Sequence, residues 1–367
     1  MVESAVINNG LEGVVVAETR ISEVDGLRGK LIICGRDSEE LAFAVTFEQC
    51  CALLWNTGGT DKPDEKELLE RFGAARVDAF KVIEKSPFVL DQEHPMDALR
   101  SACSLMASQT QVDWREYARL SAALAVFAAN WSRVHRGLKL EKPDPKLTHS
   151  ADFLRMLRDK EAAQGDVAAL DTYWTTISDH GMNASTFTAR VVASTESDNV
   201  SSIVAAIGAL KGPLHGGAPG PVLEMLKAIG SPEHAEKWLK DALDSGKRIM
   251  GMGHRIYKVR DPRAAIFEQA IRKLEGAGAT TGRLALARAV ESTAERMLAE
   301  RHPDRPLKAN VEFYTAVLLD AIQIPDHLFS SMFAAGRVGG WCAHIAEQRL
   351  HGRLIRPGSR YTGKMPS

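Results

Sequence analysis

Between Gly251 and Arg263 the chain reads GMGHRIYKVRDPR. Two glycines bracket Met252 and deliver His254, and Arg255, Lys258, Arg260 and Arg263 follow within nine residues. Glycines let a backbone approach a ligand closely. A histidine can donate a hydrogen bond or move a proton near neutral pH. Arginines offer permanently charged, forked donors that match carboxylates and phosphates. Asp261-Pro262 marks a turn or helix start, which puts Arg263 in the first turn of a helix. Such a stretch suits a small polyanionic substrate with a histidine at its centre. The same composition also suits a basic surface loop with a glycine turn, and the stretch alone fits both.

Two further histidines sit in comparable settings. His180 lies in Asp179-His180-Gly181-Met182-Asn183-Ala184-Ser185, where a helix C-terminus runs into a turn. His215 lies within Lys211–Pro221, eleven residues with four glycines and three prolines, which cannot form regular structure. The helical pattern Val222–Ile229 follows, so His215 precedes a helix N-terminus, where the macrodipole disfavours imidazolium. A neutral histidine is what an electrophile needs to donate a hydrogen bond without losing a full proton. A simple capping role for His215 fits the same position. Glu312 falls in the first turn of a helix opening at Ala309-Asn310-Val311-Glu312-Phe313-Tyr314. Arg337 and Trp341 lie in the long helical stretch Asp326–Leu350, and Arg356 lies in the basic, irregular tail Arg353–Arg360.

The elements that must position these residues are mostly helical. Val14-Val15-Val16 and Leu31-Ile32-Ile33 read as short strands about the turn Val24–Gly29, so a small antiparallel pair is expected within residues 1–40. From Ser38-Glu39-Glu40-Leu41, which caps a helix, the period changes, and Phe47, Cys50, Cys51 and Leu54 recur at helical spacing. Residues 63–84, 95–108, 113–135, 150–158, 167–179 and 201–210 continue that pattern, as do 232–245, 264–275 and 284–300. The almost wholly apolar run Leu120–Phe127 predicts a helix buried on several faces. Glu141–Thr148 and the proline-broken, basic His302–Lys308 read as loops.

At 367 residues the chain is too long for one ordinary core, so two domains are expected. Its net charge of −1 argues against a nucleic-acid binder. Five cysteines without CxxC spacing lie in apolar runs and read as buried thiols of a reducing compartment. No apolar run reaches membrane-spanning length, and the N-terminus lacks a basic n-region or an Arg-rich amphipathic pattern. No membrane partner and a cytoplasmic location are therefore expected. A zinc site made of the three histidines and Glu312 is disfavoured: there is no HExxH or other close histidine pair, and the arginines would repel a cation.

The ordered set DHGMNAS, GPLHGGA, GMGHRIYKVRDPR, NVEFY, AAGRVGGW and LIRPGSRY resembles the citrate synthase family, from about Gly10 to Tyr361. The family includes 2-methylcitrate synthases, which share these motifs. The resemblance implies an all-α, two-domain fold with a small N-terminal β element. Residues 1–214 and 326–367 would form the large domain and 215–325 the small one, with the active site in the cleft between them. It implies a homodimer that condenses acetyl-CoA with oxaloacetate, giving citrate and CoA, with no cofactor beyond the thioester substrate. His180 would bind oxaloacetate. His215 would donate to the thioester carbonyl and stabilise the enol, and His254 would polarise the ketone and protonate the new alkoxide. Glu312 matches the family's base, which takes the methyl proton. Arg263 and Arg337 would clamp the carboxylates, and Arg356 would reach in from the other subunit. Lys258, Arg260, Arg305 and Lys308 are the nearest unassigned cations for the phosphates of coenzyme A.

Two positions depart from the family pattern. Ile177-Ser178-Asp179-His180 stands where LHADH is common, which removes a polar neighbour but keeps the ligand. Glu312 stands where aspartate is usual. The added methylene lengthens the side chain by about 1.5 Å, and a misplacement of about 1 Å can cost roughly 100-fold. A relative with impaired catalysis, kept for binding or assembly, is therefore the alternative from another class. Oxaloacetate with propionyl-CoA is the alternative within the family, since one methyl group is worth only about 1–3 kcal/mol of discrimination.

Overall fold

The computed structural model describes residues 7–216, 219–254, 256–276, 283–304 and 307–366. Strands β1 (Ser22–Asp25), β2 (Lys30–Ile33) and β3 (Arg36–Asp37) form one antiparallel sheet in that order. Asp25 pairs with Lys30 and Ser22 with Ile33, so Gly26–Gly29 is the turn. Leu31 and Ile33 point inward and Lys30 outward, the period of two that a half-buried strand requires. The strand expected at Val14–Val16 does not form, and Val15 stays largely exposed. The turn decides the register, and it aligns β2 with Ser22–Asp25 instead.

Fifteen α-helices follow among the described residues: α1 (Ser38–Ala44), α2 (Phe47–Gly58), α3 (Glu65–Lys85), α4 (Pro95–Ser104), α5 (Trp114–His135), α6 (His149–Arg158), α7 (Gln164–Ile177), α8 (Ala184–Ala193), α9 (Asn199–Lys211), α10 (Pro219–Ile229), α11 (Ala235–Asp244), α12 (Pro262–Gly276), α13 (Arg283–Arg301), α14 (Val311–Ala321) and α15 (Phe329–His351). The fold is all-α with a small N-terminal sheet. Helix α8 has no counterpart in the sequence reading. Its three Ala are offset by two Thr, two Val and Phe187, which are indifferent helix formers. Asn183 nonetheless caps it by accepting the Thr186 N–H at 3.1 Å, and its inner face is buried.

The core is built round α5 and α15. Every residue from Leu120 to Arg133 and from Ser331 to Gln348 is buried. Helix α15 packs on α2, α5, α7, α8 and α9, while α5 also meets α3, α4 and α6. The later helices pack largely among themselves, α12 on α14, α10 on α14 and α11 on α13, with α12 also touching α7 and α1. The five cysteines are free thiols, four of them buried.

Glycines let α15 sit close to its neighbours. A Cβ on Gly340 would lie 2.2 Å from the Ser178 carbonyl oxygen and 2.7 Å from Asp179 Oδ1, just before His180. Alanine at a helical glycine ordinarily gains about 1 kcal/mol in propensity, but this clash is with backbone, and overpacking costs typically about 1–3 kcal/mol. Gly340→Ala should therefore lower stability in chemical denaturation and quicken hydrogen exchange at the amides of residues 178–181. A variant equal to wild type in both would show that the Ser178–Asp179 segment yields freely.

Candidate active site

The His254 segment is shaped from both sides. Gly251 and Gly253 have φ of +76° and +88°, left-handed conformations that strain any other residue. Between them the chain pairs with the segment that leads into α14. Gly253 N–H donates to the Lys308 carbonyl at 2.7 Å, Asn310 N–H to Gly251 at 2.9 Å, and Asp261 N–H to Ala309 at 3.3 Å. The Asn310 side chain does two jobs. Its Oδ1 accepts the Glu312 N–H at 3.0 Å and caps α14, and its Nδ2 donates to the Gly253 carbonyl at 2.9 Å. One asparagine thus ties the start of the Glu312 helix to the residue before His254.

The two ring nitrogens of His254 are made unequal by the backbone. Nδ1 accepts from both Ile256 N–H and Tyr257 N–H at 3.0 Å, so the neutral ring carries its proton on Nε2. Burial pushes the ring's pKa down to about 4, helped by Arg263 and opposed by Asp261. His254 is therefore a neutral hydrogen-bond donor at pH 7.

His215 is arranged with the opposite tautomer. Its Nε2 accepts the Ser185 N–H at 3.3 Å and lies 2.9 Å from Ser185 Oγ, which leaves the proton on Nδ1. Burial, then Arg337, pushes its pKa down to about 4. Ser185 is in the first turn of α8, and its Oγ also receives the Trp341 indole N–H at 3.1 Å. The helix N-terminus that touches His215 is thus that of α8, not the one that follows it in the chain.

His180 is buried, with Nε2 3.1 Å from Tyr257 Oη and its ring edge-on to that of His254, centroids 6.0 Å apart. Burial, then Arg263 and Arg337, holds its pKa well below the usual imidazole range. Asp179 and Gly181, on either side, are bound by one hydroxyl: Ser22 Oγ donates to Asp179 Oδ2 and accepts the Gly181 N–H at 2.9 Å. His344 Nε2 approaches Asp179 Oδ1 to 3.1 Å, within ion-pair range but out of line for a hydrogen bond.

The two arginines differ. Arg263 forms a bidentate pair with Asp261, Nε to Oδ1 at 3.0 Å and Nη2 to Oδ2 at 2.7 Å. Arg337 is only 1% exposed and donates Nε–H to the Ile177 carbonyl at 2.5 Å, yet its buried Nη2 has no partner. Burial pushes its pKa down to about 10. A buried donor without a partner is costly and suits a site that waits for an anion. The Oε2 of Glu312 is likewise enclosed and unpartnered. Burial pushes this carboxyl up to about 7, against the pull of Arg263 and Arg337 and with a push from Asp261.

These groups form one electrostatically linked set: His180 feels Arg263, Arg337 and His254, Glu312 feels Arg263 and Arg337, and His215 feels Arg337. Arg356 stands apart on the exposed tail, next to Ile355, whose N–H donates to Ser194 Oγ at 3.0 Å. Arg260 is engaged by Glu268 at 2.9 Å and Glu291 at 2.7 Å, Lys308 by Glu295 at 2.7 Å, and Lys258 is exposed. Arg305 lies outside the described residues. Beside His254 opens a cavity of about 760 Å³, lined among others by Lys247, Arg248, Met252, Arg301 and Leu307. Tyr257, Ser185, Asn310 and Asp261 contact or orient the site, and the sequence reading gave them no part in its chemistry, Asp261 reading only as a turn or helix start. Each was printed in a motif, but only the fold shows which atom each one holds. Among the described residues, no three His, Cys, Asp or Glu side chains are grouped to hold a metal ion.

A family profile described as "Citrate synthase, C-terminal domain" matches residues 10–358. The chain belongs to the citrate synthase family. It is 37% identical to a citrate synthase of Haloferax volcanii over 98% of this chain and 97% of that one. It is 35% identical to "Citrate synthase 2" of Bacillus subtilis over 96% and 95% of the two chains. The fold superimposes on the citrate synthase of Thermotoga maritima with a TM-score of 0.83 at 32% identity, covering 99% of this chain and 97% of that one. It superimposes on the Thermoplasma acidophilum citrate synthase, solved with carboxymethyl coenzyme A and oxaloacetate, with a TM-score of 0.84 at 28% identity, covering 98% and 97%. No helix of the described residues is long and apolar enough to cross a membrane.

Proposed function

We propose that this citrate synthase family member condenses acetyl-CoA with oxaloacetate to give citrate and CoA, the reaction that feeds acetyl groups into the tricarboxylic acid cycle. The observation that carries this reading is the pair of opposed tautomers: His215 with its proton on Nδ1 and His254 with its proton on Nε2, both neutral, with the Glu312 carboxyl, poised near pH 7, sharing the charge of Arg337 with the first and of Arg263 with the second. A carbon acid needs a base on one side and a donor at the developing oxyanion on the other. Glu312 takes a methyl proton, and His215 N–H stabilises the enol oxygen. The enol carbon then forms its bond to the ketone carbon of oxaloacetate, and His254 Nε2–H protonates the resulting alkoxide. Water cleaves the thioester to release CoA.

In this scheme Arg337 meets a carboxylate with its unpartnered Nη2, Arg263 meets another from its Asp261-fixed fork, and His180 completes the clamp. The cavity beside His254 takes coenzyme A, with Lys247 and Arg248 as the cations of its lining that meet the phosphates. That choice replaces Arg260 and Lys308, whose charges are already engaged by glutamates. Residues 215–325 act as a small domain on a large one made of 1–214 and 326–367. Support comes from the way α10 to α14 pack among themselves. His215, at the boundary, is fastened to α8 of the large part. Arg356 serves the partner's site in a homodimer, as its exposed tail allows. The enzyme works in the cytoplasm, in keeping with five free thiols.

The test is steady-state thiol release from acetyl-CoA and from propionyl-CoA in the presence of oxaloacetate. Release that requires oxaloacetate, with the higher kcat/KM for acetyl-CoA, is expected. A higher kcat/KM for propionyl-CoA would reassign the acyl substrate, and no release from either would overturn the reading.

A further inference from the structure

We propose that the N-terminal hairpin is a positioning strap for the active site, with Ser22 holding the His180 segment and the Gly26 carbonyl holding the His254 segment. Ser22 and Gly26 each lie more than 150 residues before either histidine in sequence. Its grip on each side is nevertheless specific. At one end of β1, the Ser22 hydroxyl binds both residues that flank His180. Two residues on, a methyl of Val24 sits where it would just touch a Cβ on Gly181, at 3.4 Å. Past the other end of β1, the Gly26 carbonyl accepts the Lys258 N–H at 2.9 Å. There the two backbones are in contact: a Cβ on Gly26 would lie 2.5 Å from the Ile256 carbonyl oxygen, and one on Gly29 would lie 2.7 Å from Val259 Cγ2.

The strap touches the residues that matter. Ile256 and Tyr257 supply the two N–H groups that set the His254 tautomer, and Tyr257 Oη meets His180. Contacts therefore run in a closed ring from hairpin to His180, to Tyr257, to the His254 loop, and back to the hairpin. Four ladder pairs hold β1 to β2 and keep the two grips at a fixed spacing. The hairpin's root is anchored in the core by Ile21, Leu31 and Ile33, whereas at its tip, between the two packed glycines, Leu27 faces solvent and is 77% exposed. A change at the tip thus acts on the His254 loop without emptying the core.

This inference rests on the reading that His180 binds and His254 polarises the keto acid. Gly26→Ala should push the turn off Ile256 and lower kcat by about tenfold or more, since a shift of about 1 Å can cost roughly 100-fold. Ser22→Ala should instead raise KM for oxaloacetate, and Ser22→Thr, which keeps the hydroxyl, should restore it. Leu27→Ala, in the same turn but facing solvent, should do neither. In the substrate-free protein, hydrogen–deuterium exchange should quicken at amides 256–259 in Gly26→Ala and stay slow in α5. Wild-type exchange at 256–259 in Gly26→Ala would overturn the strap whatever the activity. A fall in kcat matched by equally faster exchange throughout α5 would also overturn it, by reducing the effect to lost stability. Absence of condensation activity in the wild-type enzyme would instead sink the reading of the site and leave the exchange result standing.

Discussion

Replacing Glu312 with glutamine should lower turnover by at least about 100-fold, within the usual range for general base catalysis, while oxaloacetate affinity stays near that of the wild type. Glutamine keeps the shape and removes the base. The wild-type carboxyl is held up at about 7 by its burial, so kcat/KM should rise with pH through that value as the base ionises. The same group leaves a mark on stability. Between its ordinary value of 4.5 and about 7 it is protonated in the fold and ionised in the unfolded chain, so unfolding releases a proton. Wild-type stability therefore falls as pH rises through that window, and Glu312→Gln should lack that fall. Glu312→Asp tests the departure from the family's usual aspartate. The two acids differ little in strength, about 4.3 against 3.9, so reach decides. A site adapted to the longer side chain loses rate with aspartate, which is the expected outcome. A Gln variant with wild-type turnover would remove Glu312 from the mechanism.

Mixing two inactive chains should restore activity. Arg356→Ala and His254→Ala homodimers should each be nearly inactive. In the mixed dimer one site takes His254 from one chain and Arg356 from the other, both intact, and the second site collects both defects. Each heterodimer should then show roughly half the wild-type activity, as expected of two equivalent sites related by a twofold axis. Heterodimers that form and stay inactive would mean that Arg356 acts within its own chain. Arg356 is exposed on its own chain, which leaves it free to serve a neighbouring one.

The sequence made the helices legible wherever burial follows a simple period. Leu120–Phe127 is apolar on every face and became the middle of α5. It failed where a partner decides. Val14–Val16 has the composition of a strand but no ladder to join, whereas Ser22–Asp25 is polar but for Val24 and lies opposite β2. Helix α8 forms despite its Thr and Val because Asn183 caps it and one face is covered. Of the site, the residue types were readable and their attachments were not. That His215 is neutral followed from the idea of a nearby helix N-terminus, but which helix supplies it is a tertiary fact. Asp261 looked like a turn residue and proves to be the brace of Arg263.

The pairing of Gly251–Gly253 with Lys308–Asn310 has a consequence for how such a site can come apart. His254, Arg263 and Glu312 all hang from that pairing, through Asn310, Ala309 and Asp261. His180, His215 and Arg337 hang from α7, α8 and α15, through Ile177, Ser185 and Trp341. The proposed site is thus two prefabricated halves, each internally bonded, which meet where His180 touches Tyr257, where α12 packs on α7, and through the hairpin that grips both. Any motion between the halves would spare the bonds inside each and fall instead on the hairpin's two grips, at Ser22 and at Gly26.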